Sequence, residues 1–426
     1  MNTSIFKLFI GSSSIQVLNQ ILLVLLSIFF ARVLGPEQFG LYNLILSIIA
    51  VSVVPVIAGM QQLLIREISK LTEAKEFNYI KGIIYWSAYY LVVMSCFTII
   101  TLYLSGKFGF FSETVNEILI LGYLFIPIKG LLIQQSAILN GFRLPILSQL
   151  PSTLIVQFIS LLLFVVIFNI EENLSAKVLI ILQFTASCLA LIIGYVFVSK
   201  CLPIKLREYS HKYSIKKWQK SLIPFTAITF VSTFNSETAT LILGFYVDNE
   251  SVGFYKIALQ GSLVLALGLQ AVNVIIAPDI ARLFAKGHIS SMQEVISKSV
   301  KISVLFALPI TFTLLIFGSE IIILLFGKEY ESASSLLTVL VIGQFFNACF
   351  GSVGLIMNMT GNERKALNIL FVSMSLSIFL MSILIPDFGA LGAAYSTAIT
   401  LIFWNVWMSY RVYTETGIKT WIRIFN

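Results

Sequence analysis

Twelve apolar stretches of about 20 residues each leave this chain one environment in which to fold. A helix rises 1.5 Å per residue, so about 20 apolar residues cross the roughly 30 Å hydrocarbon layer of a membrane. The stretches run Phe9 to Ala31, Leu41 to Ile65, Ile83 to Leu104, Ile118 to Leu139, Ile146 to Phe168 and Val178 to Val198; after a polar break come Leu222 to Tyr246, Ile257 to Ile280, Ile302 to Phe326, Leu336 to Met357, Ala366 to Ile385 and Ala390 to Tyr410. None alternates every second residue, which excludes a transmembrane β-barrel. Only 11% of the 426 residues are charged, against about a quarter in a soluble domain. The expected fold class is an all-α integral membrane protein with twelve transmembrane helices.

The 28 Lys and Arg outnumber the 20 Asp and Glu, but in such a chain the position of the cations matters more than their sum. With the N-terminus inside, 22 cations fall on the cytoplasmic side and five on the other (Arg32, Lys107, Lys177, Lys256 and Lys328), while Lys129 stays within a helix. The positive-inside rule therefore predicts that both termini are cytoplasmic. The first stretch is too long for a secretory signal and lacks an A-x-A site, so it reads as the first helix. Cys96, Cys188, Cys201 and Cys349 show no C-x-x-C spacing and read as packing residues. No metal, cofactor or nucleic-acid partner is expected.

The hexapeptide Glu37-Gln38-Phe39-Gly40-Leu41-Tyr42 recurs as Glu250-Ser251-Val252-Gly253-Phe254-Tyr255, 213 residues later and half a chain away. A weaker echo links Asn140-Gly141-Phe142-Arg143, after the fourth stretch, with Thr360-Gly361-Asn362-Glu363-Arg364, after the tenth. The longest polar connection, Ser199 to Lys220, is strongly basic. These features predict two six-helix lobes, 1–199 and 221–426, joined by a basic cytoplasmic linker at 200–220. Each lobe starts inside and has an even number of helices, so the lobes are expected to be parallel repeats related by a pseudo-two-fold along the membrane normal. Gly35-Pro36 and Gly40 read as turn chemistry, Glu37 and Glu250 as helix caps, and Tyr42 and Tyr255 as interfacial aromatics.

An ion within a transmembrane helix is costly unless it is paired or faces water, which makes it a functional candidate. Lys129 lies two residues after Pro127, which is expected to loosen the helix. Glu237 lies on a stripe with Thr226, Thr229, Thr233 and Thr240, whose spacing puts all five on one helical face. Helix one, the counterpart of helix seven in the repeat, carries Gln16, Asn19 and Gln20 at i, i+3 and i+4. These stripes could line a wet cavity between the lobes, or simply bond to neighbouring helices. A structural ion pair between Lys129 and Glu237 is a further reading. Arg32, Arg66 and Arg282 end helices, where a cation either anchors at the interface or meets a phosphate. His211 and His288 sit alone in loops. No Ser/His/Asp set, Walker loop or metal cluster is found, so no catalytic residue is assigned.

The turn Val33 to Tyr42, the segment Leu324 to Tyr330 (L-L-F-G-K-E-Y) and Phe388 to Ile399 (F-G-A-L-G-A-A-Y-S-T-A-I) resemble the Wzx-type polysaccharide flippases. That group sits within the superfamily that also holds multidrug and toxin extruders and the lipid II flippase. The resemblance implies a MATE-like fold and alternating access by two lobes. It also implies an undecaprenyl-diphosphate-linked oligosaccharide (O-antigen or capsule repeat) carried from the cytoplasmic to the outer leaflet of a bacterial inner membrane. A polysaccharide polymerase and a chain-length regulator are the implied partners. Lys129 is the one cation near the midplane, which leaves the rest of the diphosphate for Arg32, Arg66 and Arg282. On this reading Glu237 is a candidate for ion coupling. The alternative on the same fold is a cation-coupled exporter of small drugs. An enzyme is a poorer reading, because every outer loop is short.

Overall fold

The computed structural model describes residues 3–170, 174–202 and 209–421. Lys205 and Arg207 of the basic linker and Arg423 lie outside the described residues, as do the side chains of Lys7 and Pro224. Every regular element among the described residues is helical: α1 Thr3–Ile57, α2 Met60–Glu73, α3 Phe77–Lys107, α4 Glu113–Tyr123, α5 Phe125–Gly141, α6 Pro145–Leu150, α7 Val156–Phe168 and α8 Ala176–Cys201, then α9 Ile215–Tyr246, α10 Asn249–Ala285, α11 Ile289–Phe326, α12 Ala333–Phe350, α13 Val353–Met359 and α14 Glu363–Thr416. A π-helical turn, Pro151–Ile155, joins α6 to α7.

Eight helices among the described residues are long and apolar enough to cross a membrane, and nine when the bent pair α4–α5 is included. Two are far longer than one crossing requires, the 60-residue Ser14–Glu73 and the 54-residue Glu363–Thr416. Each is interrupted by a glycine outside helical geometry, Gly35 (φ 71, ψ 170) and Gly389 (φ 54, ψ −132), and the first is broken again at Ala58–Gly59. Pro36 disfavours helical geometry at the residue before it, and glycine alone takes positive φ without strain. Each long helix thus carries two of the expected segments, and all twelve segments fall on helices.

Further breaks follow from sequence in the same way. Pro127 would press its ring against the carbonyl four residues earlier, at Tyr123. Tyr123 is where α4 ends, and α5 leaves it at 42°. Between α1 and α2, Ala58 (φ 32) and Gly59 (φ 69) take left-handed backbone. A Cβ on Gly59 would lie 2.3 Å from that of Phe225, so glycine also admits α9 at this break.

By packing, the chain forms two compact units, 1–34 with 44–237 and 35–43 with 238–426. This division falls inside α9, between Glu237 and Thr238, whereas the division by repeat falls in the linker. In the first unit a core gathers Leu64, Ile68, Ile80, Ile83, Ile138 and Val198. In the second, a core gathers Ile276, Ile280, Met292, Ile296, Ile356 and Val412.

Residues 209–220 of the linker do not form a loose loop. The main-chain N–H of Lys212 donates to the Asn78 carbonyl at 3.1 Å, and Lys81 Nζ donates to the Tyr209 carbonyl at 2.7 Å. Trp218, 1% exposed, packs on Trp86 with ring centroids 5.4 Å apart. Residues 209–218 form a strap across α3 of the first unit.

The second unit contains residues 35–42 of the first signature segment and the whole of the other two. A Cβ on Gly40 would lie 1.6 Å from the Asn249 carbonyl oxygen, and one on Gly253 would lie 2.4 Å from that of Pro36. The two copies of the repeated turn therefore cross through their glycines. Tyr330, 1% exposed, sets its ring 6.2 Å from Phe39, 6.1 Å from Phe254 and 6.3 Å from Phe326. The hydroxyls of Tyr255 and Thr397 lie 2.9 Å apart.

Candidate functional site

Polar groups inside apolar helices must find partners or water, so the candidates are sorted by what each one meets. Lys129 is half-buried on α5 with Nζ 5.3 Å from the centroid of the Phe125 ring, one turn earlier. It forms no ion pair among the described residues, so the Lys129–Glu237 pair is not made. Glu237 is half-buried on α9, and Ser47 Oγ, on the buried face of α1, donates to its Oε2 at 2.6 Å. Both residues belong to the first unit.

The threonine stripe divides. Thr226 Oγ1 lies 2.7 Å from the Ala58 carbonyl and 2.9 Å from that of Leu222. Its hydroxyl thereby serves a carbonyl that the α1–α2 break leaves without a helical donor. Thr229 Oγ1 donates to the Phe225 carbonyl at 3.0 Å. Thr233 is half-buried, while Thr240 is fully buried in the second unit with Oγ1 unbonded. On α1, Gln16 is exposed and Asn19 and Gln20 are half-buried; Asn19 Oδ1 is buried without a hydrogen bond. The first unit thus holds Gln16, Asn19, Gln20, Lys129, Thr226, Thr229, Thr233 and Glu237, and Thr240 stands apart.

The three candidate arginines also differ. Arg282 is exposed and donates to Asp279 at 2.8 Å, one turn away. Arg32 is exposed at the end of the first segment. Arg66 donates to Glu67 Oε1 at 3.0 Å and lies 5.3 Å from the Phe225 ring centroid. Glu67 is 2% exposed, and its other oxygen receives Lys217 from the strap at 3.0 Å.

Sequence reading missed Ser47, Glu67 and Lys217. The signal for Glu67 was present: in Met60–Glu73 it falls on the face of Leu63, Leu64, Ile68 and Leu71, where a carboxylate needs a partner. A small cavity, about 10 Å³, also sits beside the α1–α2 break, lined by Met60, Gln61, Ser87, Leu91, Gly130 and Gln134. It has room for about one water. Gln134 Nε2 donates to Ser87 Oγ at its edge, at 2.6 Å.

Broken apolar helices, a duplicated turn and polar groups gathered at the breaks define a multi-pass membrane protein of the multidrug-and-toxin-extruder fold. An inward-facing multidrug resistance transporter of the MATE family, MOP superfamily, matches with a TM-score of 0.76 at 12% identity, over 95% of this chain and 98% of that one. The lipid II flippase MurJ, in an inward closed conformation, matches with a TM-score of 0.73 at 17% identity, over 95% and 87% of the two chains.

The polysaccharide biosynthesis protein family matches residues 29–335, and the chain belongs to that family. An uncharacterized membrane protein of Methanocaldococcus jannaschii is 25% identical over 94% of this chain and 83% of its own length. A Shigella flexneri protein assigned by name alone to O-antigen transport is 24% identical over 88% of this chain and 89% of its own. A Haloferax volcanii protein named "Probable low-salt glycan biosynthesis flippase Agl15" is 28% identical over 47% of this chain and 43% of its own.

Proposed function

We propose that the protein is a flippase, not an enzyme, and that it carries undecaprenyl-diphosphate-linked oligosaccharide repeat units from the cytoplasmic to the outer leaflet by alternating access. The observation that carries this reading is family membership over residues 29–335. Physical chemistry supports the need for such a protein. Each unpaired hydroxyl taken into hydrocarbon costs on the order of 2 kcal/mol or more, so a sugar head group requires a polar lining. Gln16, Asn19, Gln20, Thr229 and Thr233 are proposed as parts of that lining, with Thr226 and Thr240 acting in the helix rather than on the sugar. Lys129, an ammonium without a carboxylate in an apolar helix, is proposed to attract the diphosphate, with Arg32 and Arg66 meeting it nearer the ends of their helices.

Lobes 1–199 and 221–426 are proposed as the alternating parts, both termini as cytoplasmic, and the bacterial inner membrane as the location. A polymerase and a chain-length regulator are the proposed partners downstream. Glu237 is proposed as an ion-coupling group, which requires that Glu237→Gln remove any dependence of transport on the proton gradient.

Deleting the gene in its source strain tests the reading. Loss of the surface polymer, with single lipid-linked units trapped on the inner leaflet, is expected, and Lys129→Ala is expected not to restore export. Normal polymer without trapped units, in a strain lacking a redundant flippase, would reject it. The likeness to a multidrug resistance transporter supports the second reading, a cation-coupled drug exporter. That reading requires resistance to dyes and cationic antibiotics on overexpression and no polysaccharide defect on deletion.

A further inference from the structure

The strap that closes the first unit carries more cations than its own packing uses. Glu67 takes Arg66 and Lys217, one on each oxygen. Lys212, Lys216 and Lys220 are exposed, and their ammonium groups meet no carboxylate among the described residues. They are nevertheless held in place. The Lys212 N–H is bonded to Asn78, and a Cβ on Gly82 would lie 1.9 Å from the Lys212 carbonyl oxygen. Trp218 and Leu222, both buried, fix the rotation of α9.

That rotation puts Lys216, Lys220, Ile223, Ala227 and Phe230 on the opposite face, at spacings of 4, 3, 4 and 3. All five are exposed, Ile223 at 72% and Phe230 at 40%. Going up the helix, the stripe passes from cations to bare apolar side chains. Beside it Tyr213, 49% exposed, supplies an aromatic of the kind found at headgroup level.

We infer that Lys212, Lys216 and Lys220 form a headgroup site for an anionic phospholipid of the surrounding membrane, whose acyl chain lies along Ile223, Ala227 and Phe230. Charge complementarity selects the headgroup, and the apolar continuation of the same stripe selects a lipid over a free anion. The site uses none of the residues proposed for the cargo path, and its test does not depend on the flippase reading. Each lysine close to an anionic lipid surface strengthens association about five-fold, so three together give about a hundred-fold.

The test uses the purified full chain in mixed micelles containing phosphatidylglycerol or phosphatidylcholine, with melting temperature read against lipid concentration. Phosphatidylglycerol is expected to stabilise the wild type in a salt-sensitive way. In the triple variant Lys212→Gln/Lys216→Gln/Lys220→Gln its apparent affinity is expected to fall about a hundred-fold, with melting in phosphatidylcholine unchanged. A control, Lys107→Gln/Lys286→Gln/Lys328→Gln, removes the same charge at exposed positions elsewhere and is expected to behave as wild type. Equal loss in both variants, or none in the strap variant, overturns the site. So does stabilisation of the wild type by inorganic phosphate alone to the same extent, which would mark a free-anion site. If the triple variant does not fold, Lys216→Gln alone is read the same way, with about a five-fold loss expected.

Discussion

Ser47 donates its hydroxyl to Glu237 at 2.6 Å, joining α1 to α9 across 190 residues of sequence. Ser47 is 2% exposed, so it has no water to turn to if its partner is lost. A hydrogen bond to a charged group contributes about 1.5–3 kcal/mol, which sets the upper bound for what the half-buried Glu237 loses with its Ser47 donor. Ser47→Ala is expected to lower the melting temperature of the purified protein, whereas Glu237→Gln, which keeps an acceptor oxygen, is expected to cost less. An order reversed between the two would show that the bond does not hold α1 to α9.

Glu67 makes a sharper case, because one buried carboxylate takes two cations. Breaking a fully buried pair from one side costs about 3–5 kcal/mol, but Arg66 and Lys217 are 46% and 53% exposed, so solvent screens part of the loss. Glu67→Leu is therefore expected to destabilise by about 1–3 kcal/mol, less than a dry pair would. A double-mutant cycle with Lys217→Met isolates the bond that fastens the strap. Amide exchange at 209–218 should quicken in Glu67→Leu and in Lys217→Met alike; unchanged exchange in both would mean that Trp218 and the bonds of Asn78 and Lys81 hold the strap without Glu67.

What the sequence made legible here was set by the solvent. A membrane demands only length and apolarity of a helix, so the twelve segments, the turn at Gly35-Pro36 and the loosening of the helix at Pro127 could be read residue by residue. The repeat was legible because Gly40 and Gly253 are tied to one geometry, the crossing of two backbones. Partners distant in sequence were not legible. Nothing in the stretch around Ser47 announces Glu237, and a basic run such as 209–220 reads as a solvated loop until Glu67 and Trp86 are seen beneath it. The threonines of the stripe are spaced to share one face of α9, but a face does not say what each hydroxyl meets: Thr226 meets a carbonyl of a broken helix, and Thr240 is buried.

The crossing of the two repeated turns yields a third prediction. A methyl on Gly40 would overlap the Asn249 carbonyl, which belongs to a helix start and has little room to move. Overpacking of this kind costs about 1–3 kcal/mol or more where backbone must shift. Gly40→Ala and Gly253→Ala are each expected to reduce the yield of folded protein. Tyr330→Ala, which empties a site among three rings, is expected to cost about 3–5 kcal/mol. Burial also pushes the Tyr330 phenol well above its ordinary range, with Glu329 adding to the shift, so no titration of this residue is expected below strongly alkaline pH. Fluorescence-detected size exclusion of tagged variants reads all three, and normal yield of Gly40→Ala would contradict the close approach.

The C-terminal segment gives the last prediction, because it repeats in the second unit what the strap does in the first. After α14 ends at Thr416, the side-chain amide of Gln293 on α11 accepts from the Lys419 N–H at 2.8 Å and donates to its carbonyl at 2.8 Å. Ile418 and Thr420 on either side are fully buried, and the Thr420 hydroxyl lies 2.6 Å from that of Ser409. In each unit, then, a non-helical segment lies against the start of a long helix, 209–212 on α3 through Asn78 and Lys81 in one and 418–420 on α11 through Gln293 in the other. Two amide hydrogen bonds at about 1 kcal/mol each, plus the burial of Ile418 at about 1.5–3 kcal/mol, put the segment's contribution at a few kcal/mol. Truncation after Gly417 is expected to destabilise by that amount, and Gln293→Leu by about 1–2 kcal/mol, since it leaves two half-buried main-chain groups without their partner. Thermal melts of the two variants compare them directly. A truncated chain as stable as the full one would show that the buried tail rests on the unit without holding it.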